Sequence, residues 1–399
     1  MTLRAQPPMV LRLTCARAAA WALLLAGWVG LGSFAMVLAP SLASAFALVA
    51  LWLLALGGVA AVATRDGLHP GIRRIALVLC ATLAAAALVW AAHGGGLLAL
   101  LLALFAWAGL TALASGVVRS LRLAQAARPG PPIGAAGLGA LCAGLVLGDL
   151  GDLHALTLRL GLLVGVAAIV LAALQRSSGE RSPGSRCRAG LFDCSLPAWP
   201  AGAWQDARQW PALLAGLAML PMMAALPLMV AWCRTQSIAP QALVLLHFAA
   251  MFGPALLWRR SIARWSVRTL SAVCTLCLAA GAIVVIWADA PLNLLGLAFA
   301  HGAAWGLAWA GQLWAPNQRS RQGASPLRAA IGYAALTIAF GALVEQFGAP
   351  GVAATHVVLG LAACAAWLLS AAAIPWARAA AARMHGPPAT HPDRRAGGR

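Results

Sequence analysis

Methionine and histidine side chains recur at helical spacing in the second half of the chain. Met219 and Met223 are four residues apart, and so are His247 and Met251. Residues four apart lie on one face of an α-helix, so each pair can direct two side chains to the same place. Thioether sulfur and imidazole nitrogen are uncharged, soft ligands that suit Cu(I), whereas Mg²⁺ or Ca²⁺ requires carboxylate oxygens. The spacing therefore predicts a site for a soft monovalent metal ion.

The same residues also have a purely structural interpretation. Methionine fills irregular gaps between helices, so a Met pair at this spacing is more often part of a packed core than of a metal site. A buried histidine in an apolar helix is costly, which favours a function for it. Because both motifs occur on consecutive apolar stretches, we favour the metal site.

The surrounding sequence is that of a membrane protein. Of the 399 residues, 62% are hydrophobic and only 9% are charged, whereas a soluble domain has about 25% charged residues. So few charges cannot cover a water-soluble protein of this size, and the net charge of +19 therefore does not indicate nucleic-acid binding. A bilayer-spanning helix needs about 20 apolar residues. Windows of that length predict twelve spans, at 17–38, 42–64, 75–92, 97–118, 133–149, 155–175, 211–232, 240–258, 269–288, 291–314, 327–346 and 351–375.

The distribution of basic residues tests this count and orients the chain. All 28 basic residues are arginine, and they cluster in the termini and in every second predicted loop. With both termini in the cytoplasm, only Arg159 and Arg234 lie near the opposite side. Cytoplasmic loops are rich in Lys and Arg, and one missed or added span would disrupt this pattern. We therefore predict twelve spans with both ends in the cytoplasm.

Few ionisable groups fall inside the predicted spans. The acidic residues nearest to them lie at outer ends, and three histidines lie within: Asp149, Asp152, Asp289 and Glu345 at the ends, His247, His301 and His356 inside. Proton-driven transporters usually place Asp, Glu or His within the spans. A sugar or organic-anion site would need more buried polar groups than these three. The sequence therefore favours the Met and His motifs as the substrate site.

Both motifs reach the middle of the membrane. Met219 and Met223 lie about 12–18 Å along the seventh span from its start, and His247 and Met251 lie about 10–17 Å along the eighth. The hydrocarbon core is about 30 Å thick. Pro221 and Pro227 interrupt the hydrogen bonds of the seventh span, and such broken helices often line transport sites.

The chain divides into two related halves. We predict a first six-helix half (1–175), a cytoplasmic loop (176–210), a second six-helix half (211–376) and a disordered tail (377–399). Arg65 and Arg74, after the second span, recur as Arg259 and Arg268 after the eighth.

This organisation resembles the major facilitator superfamily, which is built from two parallel six-helix repeats. That superfamily's loop after the second span, Gly-x-x-x-Asp-Arg-x-Gly-Arg-Arg, is degenerate here, as Asp66-Gly67 followed by Gly71-Ile72-Arg73-Arg74. The resemblance implies an all-α polytopic fold of twelve transmembrane helices in two pseudo-symmetric halves. It also implies a substrate site between the halves near the midplane.

The two motifs carry a closer resemblance. Met219-Leu-Pro-Met-Met223 followed by His247-Phe-Ala-Ala-Met251 resembles the CcoA-type copper importers of the same superfamily, which carry Met-x-x-x-Met and His-x-x-x-Met in the seventh and eighth spans. The resemblance implies that Met219, Met223, His247 and Met251 bind copper. Cys233 fits a cysteine position of that family, and Met36 and His301 are further auxiliary candidates.

The resemblance implies a function in copper supply. We expect a transporter, not an enzyme, that imports Cu(I) across the bacterial inner membrane for assembly of a cbb-type cytochrome oxidase. Copper is then the transported substrate, and no prosthetic group is expected. The expected partners are the lipid bilayer and copper chaperones or oxidase assembly factors, without nucleic acid. Two alternatives stay open, a major facilitator transporter of a small organic solute such as a vitamin or drug, and a non-transporting membrane assembly factor.

Overall fold

The computed structural model describes a chain of helices. It covers residues 7–65, 70–124, 133–148, 152–176, 238–262, 264–288, 292–314 and 326–385, together with Met229 and Cys233. The first half contains α1 (Pro7–Leu38), α2 (Leu42–Arg65), α3 (Pro70–Trp90), α4 (Gly96–Ala124), α5 (Ile133–Leu147) and α6 (Leu153–Arg176). The second half contains α7 (Pro240–Leu257), a single turn (Arg259–Ile262), α8 (Val267–Trp287), α9 (Leu292–Trp314) and α10 (Pro326–His385).

Helices occupy every predicted span except the seventh, which lies outside the described residues apart from Met229. A π-helical turn, Ala91–Gly95, joins α3 to α4. The range of α10 includes both the eleventh and the twelfth span. Gly348, with φ 61° and ψ −141°, breaks the helix between the two spans. Helix α5 has 15 residues, fewer than a full span.

The outer surfaces of the helices are apolar. Among the described residues, eight segments are long and apolar enough to cross a membrane. On α6, a stripe of side chains at helical spacing is more than half exposed: Leu158, Leu162, Val166 and Ile169. A contiguous apolar stripe of this kind is unfavourable in water and matches the hydrocarbon of a bilayer.

Helix α1 forms the centre of the first half. Trp107 of α4 donates its indole N–H to the carbonyl oxygen of Leu23 over 2.8 Å, so this buried polar group is satisfied. The Trp107 ring lies against Gly27, where a methyl group would collide with it. This close approach of α1 and α4 follows the small-residue packing typical of membrane helices.

Among the described residues, two helix pairs bring the halves into close contact. Helix α2 packs on the first part of α10, where the Phe46 and Phe340 rings meet edge to face with centroids 5.6 Å apart. Helix α5 packs on α7, where Gly137 lies against Phe252 and Leu256. Both contacts join one half to the other and therefore have to rearrange if the halves rock.

The C-terminal end of the chain differs from the prediction. Helix α10 continues past Trp376 to His385, whereas the tail was expected to be disordered from residue 377. The sequence after Trp376 is rich in Ala and Arg, which are strong helix formers, and they extend the last helix. The central loop, 177–210, lies outside the described residues.

Candidate functional site

The described part of the candidate site lies on α7. Pro240 occupies the first turn of this helix, where its missing N–H and fixed φ are favourable. Residues 242–257 carry no polar side chain apart from His247. His247 is 0% and Met251 1% exposed, and their spacing of four places them on one face.

Helix α9 closes tightly on that face through two glycines. A methyl group at Gly302 would lie 2.7 Å from the carbonyl oxygen of His247. One at Gly306 would overlap the carbonyl oxygen of Met251 and lie 2.7 Å from its carbonyl carbon. Because the obstructing atoms belong to the α7 backbone, neither position can hold a larger residue without separating the helices. Gly302 and Gly306 therefore determine how closely α9 approaches His247 and Met251.

Helix α9 also fixes the imidazole of His247. The Nδ1 atom lies 2.7 Å from the carbonyl oxygen of Ala298. A carbonyl oxygen only accepts hydrogen bonds, so Nδ1 donates, and in the neutral ring the lone pair is on Nε2. Nε2 is buried and has no hydrogen-bond partner among the described residues. Metal-binding histidines commonly show this arrangement, with one ring N–H held by a backbone carbonyl and the other nitrogen facing the ion.

The partner motif on the seventh span, Met219 and Met223, lies outside the described residues. Further along that span, Met229 and Cys233 are described, and both are fully buried. The carbonyl oxygen of Cys233 accepts a 2.9 Å hydrogen bond from the N–H of Ile238. The four-residue ligand set stays a prediction, of which the structure describes the His247 and Met251 half.

An aromatic cluster lies directly beside Met251. It consists of Trp21 on α1, Phe252 on α7, and Trp305 and Trp309 on α9. The Trp21 centroid lies 5.6 Å from that of Phe252 and 5.3 Å from that of Trp309. Trp305 and Trp309 stack at 5.6 Å. The cluster joins the first half to the second next to the candidate site.

The auxiliary candidates lie apart from the α7–α9 contact. The ring of His301 meets that of His356 on the second part of α10, with centroids 4.3 Å apart, and it lies beside Gly281 of α8. Met36, near the end of α1, is half-buried and packs against the apolar core. The contact between His301 and His356 was not predicted from the sequence, although both histidines lie in the first half of their predicted spans.

The described part of the chain contains no cluster of three or more carboxylate, histidine or cysteine side chains that could hold a metal ion. The described cysteines are free thiols, and the Cys274 thiol donates to the carbonyl oxygen of Ala304 at 3.5 Å.

The sequence matches no protein-family model and no curated protein. The structure, in contrast, is similar to solved transporters. It superposes on a D-xylose–proton symporter with a TM-score of 0.58 at 13% identity, covering 90% of this chain and 96% of that one. It superposes on a transporter of the POT family, solved with a thioalcohol-conjugated peptide, with a TM-score of 0.59 at 10% identity, covering 93% of this chain and 96% of that one.

A third similar structure is the fucose–proton symporter of E. coli, with a TM-score of 0.50 at 15% identity, covering 91% of this chain and 97% of that one. At these identities the similarity establishes the fold, and it extends over both halves of the chain. These three solved structures are transporters. The chain is a multi-pass membrane protein with the major facilitator fold.

Proposed function

We propose that this protein imports Cu(I) across the bacterial inner membrane by alternating access, for assembly of a cbb-type cytochrome oxidase. The observation that carries the proposal is the buried Nε2 atom of His247, whose lone pair faces away from the Ala298 carbonyl and has no hydrogen-bond partner among the described residues. An unsatisfied buried acceptor costs about 1–3 kcal/mol. A bound metal ion would remove that cost.

The proposed ligands are His247 and Met251 on α7, with Met219 and Met223 from the seventh span. His247 and Met251 share one face and are both buried, so the thioether can approach an ion held by the imidazole. All four ligands are uncharged and soft, which suits Cu(I). Neutral ligands also bind a monovalent ion less tightly than thiolates do, which allows the release that transport requires.

Alternating access gives the aromatic cluster a function. If both termini lie in the cytoplasm, α7 runs inward and Phe252 lies on the cytoplasmic side of His247. Trp21, Trp305 and Trp309 then separate the metal site from the cytoplasm, and their contacts between the halves have to part for release. Copper chaperones or oxidase assembly factors would receive the ion at that side.

A small organic solute is the second candidate substrate, and the similarity to sugar and peptide transporters supports it at the level of fold. The polar side chains work against it. No Asp or Glu side chain is buried in the described ranges, and several buried hydroxyls bond to carbonyls of their own helix: Ser33, Thr111, Thr157 and Thr337. Besides the histidines, the other buried polar side chains of the described ranges are Arg17, Gln175, Ser271 and Thr275, and a soft ion needs none of them.

Cellular copper content tests the proposal. The double substitution Met223→Ala and His247→Ala removes one ligand from each motif, and we expect it to abolish copper accumulation and oxidase activity at an unchanged protein level. Copper uptake that survives in this variant contradicts the proposal. Loss of oxidase activity with normal copper uptake would instead indicate the non-transporting assembly factor.

A further inference from the structure

Two exposed histidines meet on the surface of the first half, where α3 turns into α4 and α6 begins. The ring of His93 lies against that of His154, with centroids 5.0 Å apart and an interplanar angle of 69°. Both side chains are exposed. With both termini in the cytoplasm, as the arginines predict, this end of the helices faces outward. The pair is therefore open to the solution outside the membrane.

The π-helical turn Ala91–Gly95 positions His93. Gly94 and Gly96 adopt φ 98° and 57°, which lets the chain reverse directly after α3, and turns of this width are frequent at functional sites. The Nδ1 atom of His93 lies 2.8 Å from the carbonyl oxygen of Val89. A carbonyl oxygen only accepts hydrogen bonds, so Nδ1 donates and the lone pair of the neutral ring is on Nε2. A backbone carbonyl that holds one ring N–H in this way is typical of metal-binding histidines.

Asp152 positions His154 at the start of α6. Its carboxylate accepts hydrogen bonds from the N–H groups of His154 at 2.9 Å and Ala155 at 3.1 Å, which caps the helix and fixes the backbone of its first turn. The ring of His154 makes no hydrogen bond within the described part of the chain. Each of the two rings therefore keeps a nitrogen lone pair for an ion, on a backbone that local hydrogen bonds hold in place.

We propose that His93 and His154 form a Cu(II) site on the outer face, with water as the remaining ligands. At a metal–nitrogen distance of about 2.0 Å, two imidazoles that bind one ion at a right to tetrahedral angle have centroids roughly 4.5–5.1 Å apart. The observed separation of 5.0 Å fits an ion bound beside both rings, and their exposure leaves room for it. Cu(II) takes nitrogen and oxygen ligands and binds such sites more tightly than the other divalent first-row metals. The described ranges offer no third His, Cys, Asp or Glu ligand.

The test is electron spin resonance of Cu(II) bound to the purified full-length protein in lipid nanodiscs, without an affinity tag and with the accessible thiols blocked. We expect one tightly bound equivalent whose spectrum shows two imidazole nitrogens. His93→Gln, His154→Gln and the double variant should each lose this one equivalent, because an ion shared by two rings needs both. His391→Gln, in the C-terminal tail, is the matched control and should keep it.

The single and double variants distinguish a shared ion from separate binding by each histidine. Unchanged binding in His93→Gln and His154→Gln, or a double variant that loses twice as much Cu(II) as either single variant, overturns the site. Loss of the equivalent in His391→Gln also overturns it. Should a variant fail to fold, the wild-type spectrum decides, and a single bound nitrogen contradicts the site. The variants leave His247 and Met251 intact, so Cu(I) uptake can fail or succeed independently of this site.

Discussion

Glu345 of α10 accepts a 2.7 Å hydrogen bond from the backbone N–H of Ala43, in the first turn of α2. The N–H groups at a helix start have no partner within the helix, and a negative charge there is favoured by the helix dipole. Ser41 provides the local cap, since its hydroxyl accepts from the N–H of Ser44. Glu345 adds a second cap from the other half of the protein, beside the contact between Phe46 and Phe340. It therefore joins the halves at this end.

Removing the hydrogen bond between Ala43 and Glu345 should favour the conformation in which the start of α2 has separated from α10. Glu345→Ala eliminates both the acceptor and the charge, and a hydrogen bond of this kind contributes about 1 kcal/mol, which is roughly fivefold in the ratio of two states. Pulsed electron spin resonance between labels on α2 and α10 measures the change as a larger population at long distance. Gln346→Ala, at the neighbouring exposed position, is the matched control. Identical distance distributions for the two variants would show that Glu345 does not hold the halves together.

The contact between α7 and α9 should be intolerant of a single methyl group at Gly306. Gly306→Ala places that group against the backbone of Met251, so the helices have to separate, and overpacking of this kind costs about 1–3 kcal/mol. We expect a lower melting temperature and weaker Cu(I) binding. Gly332→Ala on α10 is the control, because its methyl group meets open space and alanine favours a helix by about 1 kcal/mol. Equal melting temperatures in the two variants would mean that the close approach at Met251 does not stabilise the fold.

Much of the fold could be predicted from the sequence. Apolar runs of spanning length, together with arginines on one side, predicted a helix at every described span. These two signals are visible in the sequence because a bilayer requires spans of a certain length and a difference in charge between its two sides. The break at Gly348 and the helical extension to His385 depend on local backbone conformation and helix propensity, which span counting does not use. Predicting the candidate site was harder. The spacing of His247 and Met251 indicated a shared face, but the Ala298 carbonyl that orients His247 comes from another helix. The meeting of His301 with His356 likewise depends on how α9 and α10 pack.

The start of α6 should respond to pH through Asp152. Its carboxylate accepts hydrogen bonds from the N–H groups of Ala155 at 3.1 Å and His154 at 2.9 Å, and the Ala155 bond is the largest of the contributions that lower its pKa. A carboxyl whose pKa is lowered by folding stabilises the protein above its unfolded pKa, and this stabilisation is lost as pH falls through the folded value.

Asp152→Ala should therefore lower the melting temperature at neutral pH. The difference from the wild-type protein should shrink as the pH falls below the ordinary carboxyl pKa of about 3.9. Asp152→Asn, which keeps an acceptor oxygen without the charge, should have a smaller effect at neutral pH. Melting curves of the three proteins over a pH series provide the measurement. A difference in melting temperature between Asp152→Ala and the wild-type protein that does not change with pH would show that the ionised carboxylate does not cap the helix.

Uptake of Cu(I) into proteoliposomes by two matched variants tests copper transport most directly. Met251→Leu and Met229→Leu make the same substitution at two buried methionines. Leucine conserves the volume and apolar character of methionine, so each change removes little besides the thioether. We predict that the wild-type protein and Met229→Leu accumulate Cu(I) inside the vesicles and that Met251→Leu loses this uptake. Equal uptake by both variants, or no Cu(I) uptake by the wild-type protein, would contradict copper transport through the site at His247 and Met251.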